Sequence, residues 1–212
     1  EALPLEEVPA ARARWLARAR EALAAALSSP EETLIALARE EERLERVRGR
    51  ETGAADQWVT GPSGPLQEYG VEWKGFRDLL DRHHVRLEAR LEASATAVAP
   101  NLSQLLGPKI AARLIAASGG LSALSRMTSA RLQLLGSRRR PGGGRGPKYG
   151  TIARAVLAAD VPAARRGAYA RSLAGLAAIA GRADATTHRS IAAELVRRRD
   201  RRAAELRRGR VP

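Results

Sequence analysis

Residues 98–121 read VAPNLSQLLGPKIAARLIAASGGL, and this stretch carries the clearest structural signals of the sequence. Pro100 stops a helix that arrives from its N-terminal side, because proline has no amide hydrogen, and Asn101 can cap the helix that follows. Apolar residues then recur at helical spacing up to the glycine pair Gly119-Gly120, namely Leu102, Leu105, Leu106, Ile110, Leu114 and Ile115. The pattern predicts a helical segment with one buried face.

The residues before this stretch predict a helical hairpin. Ser29-Pro30-Glu31-Glu32 combines a capping hydroxyl, a proline at the first helical position and two carboxylates in the first turn, so a helix should run from Pro30 to about Gly49. A second helix carries a narrow apolar stripe: Phe76, Leu80, His83, Leu87, Leu91, Ala95 and Val98. Such a stripe needs a partner, so we expect an antiparallel coiled coil across a Gly/Pro-rich loop at residues 51–70. A further helix is predicted from Val8 to Leu27.

Three aromatic residues, Trp58, Tyr69 and Trp73, cluster around that loop. They would form either a hydrophobic clasp at the tip of the hairpin or a docking patch for another protein. Both interpretations stay open at the level of sequence.

Charge divides the chain into two unlike halves. Residues 1–98 hold 14 basic and 18 acidic residues, a net charge of −4, whereas residues 99–212 hold 23 basic and 5 acidic residues, a net charge of +18. No carboxylate lies between Glu92 and Asp160. A GC-rich genome explains arginine in place of lysine, but it does not explain missing acids, so the basic half indicates a polyanion partner such as nucleic acid.

Residues 137–150, SRRRPGGGRGPKYG, form the most cationic loop of the sequence. Arginine forks bind phosphate oxygens in pairs, glycine permits close backbone approach, and a tyrosine ring can stack on a base. The candidate RNA-binding residues are therefore Arg138, Arg139, Arg140, Arg145, Lys148 and Tyr149. The alternative is a solvated loop without a ligand. Residues 137–150 are not a Walker A loop, because Pro147-Lys148-Tyr149 stands where that motif requires Gly-Lys-Ser/Thr.

Two helices should follow this loop. The small-residue segment Ala163 to Ile179 predicts one helix, and Thr186 or Thr187 should cap the last, which carries apolar Ile191, Leu195 and Leu206 among many arginines. That last helix is either an RNA-contacting helix or a solvated, frayed tail.

The composition excludes most catalytic chemistry. The chain has no cysteine and three histidines, and adjacent His83 and His84 diverge by about 100° on a helix, so they cannot face one ligand. We therefore expect no enzyme activity, no cofactor and no metal site. No apolar run is long enough for a membrane span, so we expect a soluble intracellular protein, cytoplasmic, or nuclear in a eukaryote.

The order of motifs resembles the NOP domain, the family of box C/D ribonucleoprotein scaffold proteins and a related pre-mRNA splicing factor. The resemblance covers about residues 75–185. It rests on the run from residue 98 to 121, on Leu124 with Met127, on Gln133 to Gly136, on Gly146 to Gly150, and on Arg165 to Arg171 through Arg182-Ala-Asp184. It implies an all-α protein in which an antiparallel coiled-coil arm, residues 1–99, precedes an all-helical NOP domain, residues 100–185, and a basic C-terminal helix or tail, residues 186–212.

The resemblance also implies a function. Family members recognise a kink-turn RNA together with a small kink-turn-binding protein of ribosomal type, and their RNA-facing motifs match Arg138, Arg139, Arg140, Lys148 and Tyr149. The protein-facing candidates are Lys109, Arg113, Gly119 and Gly120. Asn101, Gly107 and Gly136 match structural positions, and Arg171, Arg182 and Asp184 match a motif for intramolecular pairing.

Two departures from the family pattern shape the remaining expectations. The segment between Leu-Gly and Pro-Lys is shortened to an Arg/Gly run. Only about 30 residues precede the hairpin, so we expect a reduced member that lacks the N-terminal α/β domain and does not recruit fibrillarin in the usual way. The rival hypothesis is a protein-interaction adaptor that self-associates or docks a partner through the coiled coil, with a basic lobe that only confers solubility.

Overall fold

The computed structural model describes residues 8–27, 29–51, 65–137 and 150–208, and every regular element within these ranges is helical. The α-helices are α1 (Val8–Leu27), α2 (Pro30–Glu51), α3 (Pro65–Val98), α4 (Pro100–Leu106), α5 (Pro108–Ser118), α6 (Leu121–Ser125), α7 (Ser129–Leu134), α8 (Ala153–Ala158), α9 (Arg166–Arg182) and α10 (Ala192–Arg208). Two 3₁₀ turns, Gly150–Ile152 and Ala163–Arg165, and a π-helical turn, Ala183–Thr187, connect some of them. The predicted all-α fold is confirmed. None of the helices described is both long and apolar enough to cross a membrane.

Helices α2 and α3 form the antiparallel arm. Arg48 of α2 pairs with Asp81 of α3, while Glu41, two turns earlier on α2, lies beside His84, three residues further along α3, so the two helices run in opposite directions. The buried stripe of α3 comprises His84, Leu87, Leu91 and Ala95. The predicted stripe was wrong in its N-terminal half, because His83 is exposed and Phe76 is 44% exposed.

The tip of the arm differs from the predicted loop. Helix α3 begins at Pro65, so the expectation of a loop over all of residues 51–70 was wrong for its last six residues. Proline fits the first turn of a helix, where its missing amide hydrogen costs nothing. Tyr69 and Trp73 stack with ring centroids 6.4 Å apart, and Phe76 lies 5.3 Å from Trp73, whereas Trp58 lies outside the described residues.

The stretch from residue 98 to residue 121 contains two helices, α4 and α5. Gly107 interrupts it with a φ of +89°, a conformation that favours glycine, and Pro108 then starts α5. Helix α5 packs against both arm helices, and its Leu114 and Ile115 are fully buried. One hydrophobic core therefore runs from Leu34 and Leu91 at the base of the arm into the basic lobe, which we define as residues 100–208.

A buried polar cluster joins the start of this lobe to its end. Asp184 accepts hydrogen bonds from the backbone amides of Asn101 (3.0 Å) and Leu102 (2.9 Å), and so satisfies two free donors of α4. The Asn101 side chain donates to Asp184 (2.7 Å) and to the carbonyl of Arg189 (2.9 Å), and accepts from the amide of Ile191 (2.8 Å). The prediction that Asn101 caps its own helix was wrong, because the cap comes from Asp184, 83 residues away.

The last helix is part of the lobe. Its Ala192, Leu195, Ala203 and Leu206 are buried against α4 and α9, so the frayed-tail alternative is wrong for residues 192–208. The predicted threonine cap was also wrong: Thr186 and Thr187 lie in the π-helical turn, and α10 begins at Ala192. The division of the chain at residue 185 stays a prediction, although the core continues to Leu206.

Candidate nucleic-acid interface

The structure holds the two ends of the predicted RNA-binding loop side by side. The amide of Thr151 donates to the carbonyl of Leu135 at 2.8 Å, just outside the loop on both sides. Gly136 and Gly150 adopt φ values of +77° and +50°, and a Cβ at Gly150 would collide with the Leu135 carbonyl. Glycine is thus required at this contact, and the chain leaves and re-enters the lobe at one point.

The six candidate RNA-binding residues belong to the segment between these ends. Arg138, Arg139, Arg140, Arg145, Lys148 and Tyr149 all lie outside the described residues. Their assignment stays a prediction. Two exposed cations, Arg126 and Arg131, lie on the same stretch of chain just before the loop.

A cleft of about 420 Å³ opens beside the loop ends, between the arm and the lobe. Arg39 from α2, Arg113 from α5 and Arg154 from α8 contribute charge to its wall, and Gly136 and Thr151 contribute the side next to the loop. Two of these arginines, Arg113 and Arg154, are held by carboxylates of α2.

A network of ion pairs fixes the lobe to the arm at this cleft. Glu41 of α2 is fully buried, and Lys109 and Arg113 of α5 lie 2.8 Å and 2.6 Å from its two oxygens. Lys109 also reaches Glu88 of α3 at 3.0 Å. A buried carboxylate persists only when it is paired in this way, so α5 joins both arm helices through polar as well as apolar contacts.

Glu45 extends the network toward the loop. Both oxygens accept from Arg154 (3.0 and 2.7 Å), and Arg113 donates at 2.7 Å. Hydrogen bonding from Arg154, and then from Arg113, outweighs burial and lowers the pKa of Glu45 to about 2. Arg154 lies four residues after Gly150, so this pair ties the returning end of the loop to the arm.

Lys109 and Glu88, in the same network, shift each other's pKa values. The hydrogen bond from Lys109 lowers the pKa of Glu88 against the effect of burial. Burial opposes the charge of Lys109, but its hydrogen bonds to Glu41 and Glu88 outweigh burial and raise the pKa of Lys109. Both groups therefore stay charged at neutral pH.

His84 is a buried neighbour of this network. Its Nε2 lies 3.6 Å from Glu41 Oε1, and its Nδ1 lies 3.8 Å from Glu88 Oε2. Both distances exceed hydrogen-bond length. Within the described residues, no group of three His, Asp or Glu side chains is arranged to hold a metal ion.

The four predicted protein-facing residues fall at the junction of arm and lobe. Lys109 and Arg113 are engaged by the carboxylates just described. Gly119 ends α5 in the left-handed conformation, and the space beside Gly120 is filled by the carboxylate of Glu31, which accepts from the amide of Leu121 at 2.7 Å. These residues hold the protein together, and contact with a partner stays a prediction for them.

Sequence reasoning missed the carboxylates that organise this junction. Glu41 stands at a core position of α2, between buried Ala38 and Leu44. A charged residue at an apolar position of a helical stripe is a signal for a buried ion pair, and it could have been noticed. The partners could not, because Arg113 is 72 residues from Glu41 and Arg154 is 109 residues from Glu45.

A two-helix arm joined through one core to a basic, all-helical lobe defines the class: an all-helical module of the NOP type. The model of the family described as "Nop: snoRNA binding domain, fibrillarin" matches residues 78–204, and this chain belongs to that family. The match includes most of α3 and most of α10. The resemblance inferred from the sequence motifs is thereby confirmed.

Fungal nucleolar proteins are among the curated relatives of this chain. The chain is 37% identical over 125 residues to nucleolar protein 58 of Saccharomyces cerevisiae, and this alignment covers 57% of this chain and 23% of that protein. It is 39% identical over 127 residues to nucleolar protein 58 of Ajellomyces capsulatus, covering 58% of this chain and 19% of that one. The aligned region is thus less than a quarter of these relatives.

A solved structure shares the fold. A chain from a crystal structure of a fibrillarin/Nop5p complex superposes with a TM-score of 0.66 over 97% of this chain and 81% of that chain, at 23% sequence identity. The similarity extends beyond the family match into the N-terminal helices.

These comparisons revise two expectations. The structural neighbour comes from a complex with fibrillarin, so the expectation that fibrillarin is not a partner loses its support. The relatives are named nucleolar proteins, which supports a nuclear location if this chain is eukaryotic and gives no support to a cytoplasmic one.

Proposed function

We propose that this chain is an RNA-binding assembly module of a ribonucleoprotein, which recognises a kink-turn RNA together with a small kink-turn-binding protein. The observation that carries the proposal is the glycine-clasped base of an acid-free loop with five cationic residues and one tyrosine, within a member of a family described as snoRNA-binding. Arginine and lysine side chains there would neutralise phosphates next to the kink, and Tyr149 would stack on an unpaired base.

The rigid junction explains how such a loop can depend on a partner protein. The Thr151–Leu135 hydrogen bond fixes the loop base, and Arg154 ties the next helix to the arm through Glu45. With both of its ends held at one place on the lobe, the loop would present its charges from a fixed position. The role is assembly, with binding and positioning as its chemistry.

The experiment is a gel shift with a kink-turn RNA, with and without its kink-turn protein, and with a straight duplex of equal length as the matched RNA. We expect tight binding only to the kink-turn RNA carrying its protein. Equal binding to both RNAs under both conditions would contradict recognition of a composite surface.

A charge-removal variant tests the loop itself. Replacing Arg138, Arg139 and Arg140 by Ala should lower the slope of log affinity against log salt concentration by about 0.9 for each phosphate that the loop no longer neutralises. The matched control replaces exposed Arg82, Arg86 and Arg90 of the arm. An unchanged slope in the loop variant would place the RNA site elsewhere.

A second candidate function, a protein-interaction adaptor, is favoured by one observation. Along α3 several large apolar side chains are about half exposed, namely Tyr69, Val71, Phe76, Leu79 and Val85. Tyr69, Phe76 and Leu79 lie within about 80° of one another at 100° per residue, and adjacent exposed apolar side chains are typical of a docking surface. Small-angle scattering with and without RNA separates the two functions: an adaptor self-associates or binds a protein without RNA, whereas the RNA module changes its state only when RNA is added.

A further inference from the structure

The solvent face of α10 carries charge that its own carboxylates do not neutralise. The helix holds seven arginines and three carboxylates. All three acids are already paired: Glu194 with both Arg197 and Arg198, Asp200 with Arg199, and Glu205 with Arg202. The helix therefore keeps four positive charges in excess.

Two arginines of α10, one half-buried and one exposed, donate to backbone carbonyls of the lobe. Arg199 donates to the Leu105 carbonyl at 2.7 Å, and Arg207 donates to the Ala159 carbonyl at 2.9 Å. These contacts are structural, and they hold α10 in a fixed rotation against α4 and the end of α8.

That rotation aligns the outer arginines. Arg197, Arg201 and Arg208 lie within about 40° of one another at 100° per residue, on the side opposite buried Leu195 and Leu206. At a rise of 1.5 Å per residue they are spaced by about 6 Å and about 10 Å along the helix. All three are exposed, and no carboxylate within the described residues pairs with Arg201 or Arg208.

The face has the character of a polyanion-binding surface. No large apolar side chain is exposed on the described helix α10. A protein interface needs an apolar centre, whereas phosphate binding needs only aligned cations.

The C-terminal end of this face lies close to the loop base. Arg207 contacts the carbonyl of Ala159, which follows Gly150 by nine residues. Three residues of 3₁₀ turn at about 2 Å and six of α-helix at about 1.5 Å make roughly 15 Å. A single A-form RNA stem is long enough to span that distance with several base pairs.

We propose that Arg197, Arg201 and Arg208 form a second phosphate-binding surface, which contacts the stem of the same RNA that the loop binds. This inference rests on the proposed function and adds to it the route of the RNA, from the loop base across α8 to the outer face of α10. The family comparisons assign no role to these three residues.

The test uses the full chain, a kink-turn RNA with an extended stem, its kink-turn protein, and a series of salt concentrations. Variant R197Q/R201Q/R208Q should lower the slope of log affinity against log salt concentration by about 0.7 to 0.9 for each arginine–phosphate pair removed, roughly 2 in total. Variant R197K/R201K/R208K should keep most of the slope, since lysine retains the charge. The matched control, R82Q/R86Q/R90Q, removes three exposed arginines at similar spacing from the arm and should leave the slope unchanged.

Each outcome decides the question. An equal decrease of the slope in the α10 variant and the arm control would mean that net charge alone matters, which overturns the proposal. An unchanged slope in the α10 variant, together with a reduced slope in the Arg138, Arg139 and Arg140 variant, would overturn it and leave the proposed function intact. Failure of the unaltered chain to bind this RNA overturns both. An unchanged melting temperature shows that the α10 variant is folded, because the three side chains lie on the solvent face and only Arg197 is paired, with exposed Glu194.

Discussion

The arm–lobe junction and the outer face of α10 contain the same types of side chain and use them in opposite ways. At the junction, Lys109, Arg113 and Arg154 face the carboxylates of Glu41, Glu45 and Glu88, and Glu41 is fully buried. Helix α10 holds seven arginines but only three carboxylates, and none of these three carboxylates is buried. The count of basic residues therefore does not locate a binding surface, because tertiary contacts decide which cations are already paired.

The largest expected effect comes from breaking the junction at its buried carboxylate. Glu41→Gln removes the buried charge that Lys109 and Arg113 share. The free energy of unfolding should fall by about 3 kcal/mol, the lower end for breaking a buried ion pair, because Lys109 keeps Glu88 and Arg113 keeps Glu45. Chemical denaturation measures it. The control is Glu40→Gln, an exposed neighbour paired with Arg43, for which we expect a change within about 0.5 kcal/mol. Equal effects in the two variants would contradict a buried, paired Glu41.

A smaller effect should follow from the polar cluster that connects the two ends of the lobe. Asp184→Asn places an amide against the backbone donors of Asn101 and Leu102, so the free energy of unfolding should fall by about 2–3 kcal/mol. Amide exchange at Ile191, which donates to the Asn101 side chain, should become faster. Asp200→Asn on the exposed face is the matched control and should change stability by less than about 0.5 kcal/mol. Unchanged exchange at Ile191 would show that the cluster does not position α10.

The smallest effect is expected at the exposed edge of the junction, at Glu45. Its folded-state pKa is lowered from 4.5 to about 2, so its contribution to stability is complete above the unfolded value and is lost as the pH falls from about 4.5 to 2. At neutral pH the free energy of unfolding of the unaltered protein should exceed that of Glu45→Gln by about 1 kcal/mol. The difference is this small because solvent screens the partly exposed pair. The stability difference, measured by denaturation across the pH series, should vanish near pH 2. A constant difference would contradict an ionised, paired Glu45.

Local signals predicted the helices well and their tertiary roles poorly. Ser29-Pro30-Glu31-Glu32 marked the start of α2 correctly, since capping and proline preferences act within one turn. Pro65 was wrongly assigned to a loop, because proline is common both in loops and in the first turn of a helix. The stripe on α3 was assigned to His83 although His84 is buried, because neighbouring histidines carry no information about which one faces α2.

The candidate site divides along the same line. Gly136 and Gly150 were visible in the sequence as the limits of the cationic loop, and their positive φ values agree with that position. The clasp between Leu135 and Thr151 joins residues on opposite sides of the loop, so only the folded chain brings them together. The engagement of Lys109 and Arg113 by the arm was equally invisible, and it separates them from the exposed arginines.

An all-α chain, a two-helix arm, an acid-free basic loop and membership of the NOP family can all be predicted from the sequence, because helical periodicity, proline and glycine breaks, and motif order are properties of neighbouring residues. The three-dimensional fold was needed to show that Asp184 caps α4, that Glu41 and Glu45 pair with the junction cations, and that α10 belongs to the lobe with its arginines aligned outward. The reason is electrostatic: a charge is neutralised by whatever lies within a few ångströms, and here the partners of Glu41 and Glu45 include Arg113 and Arg154, which lie 72 and 109 residues away along the chain.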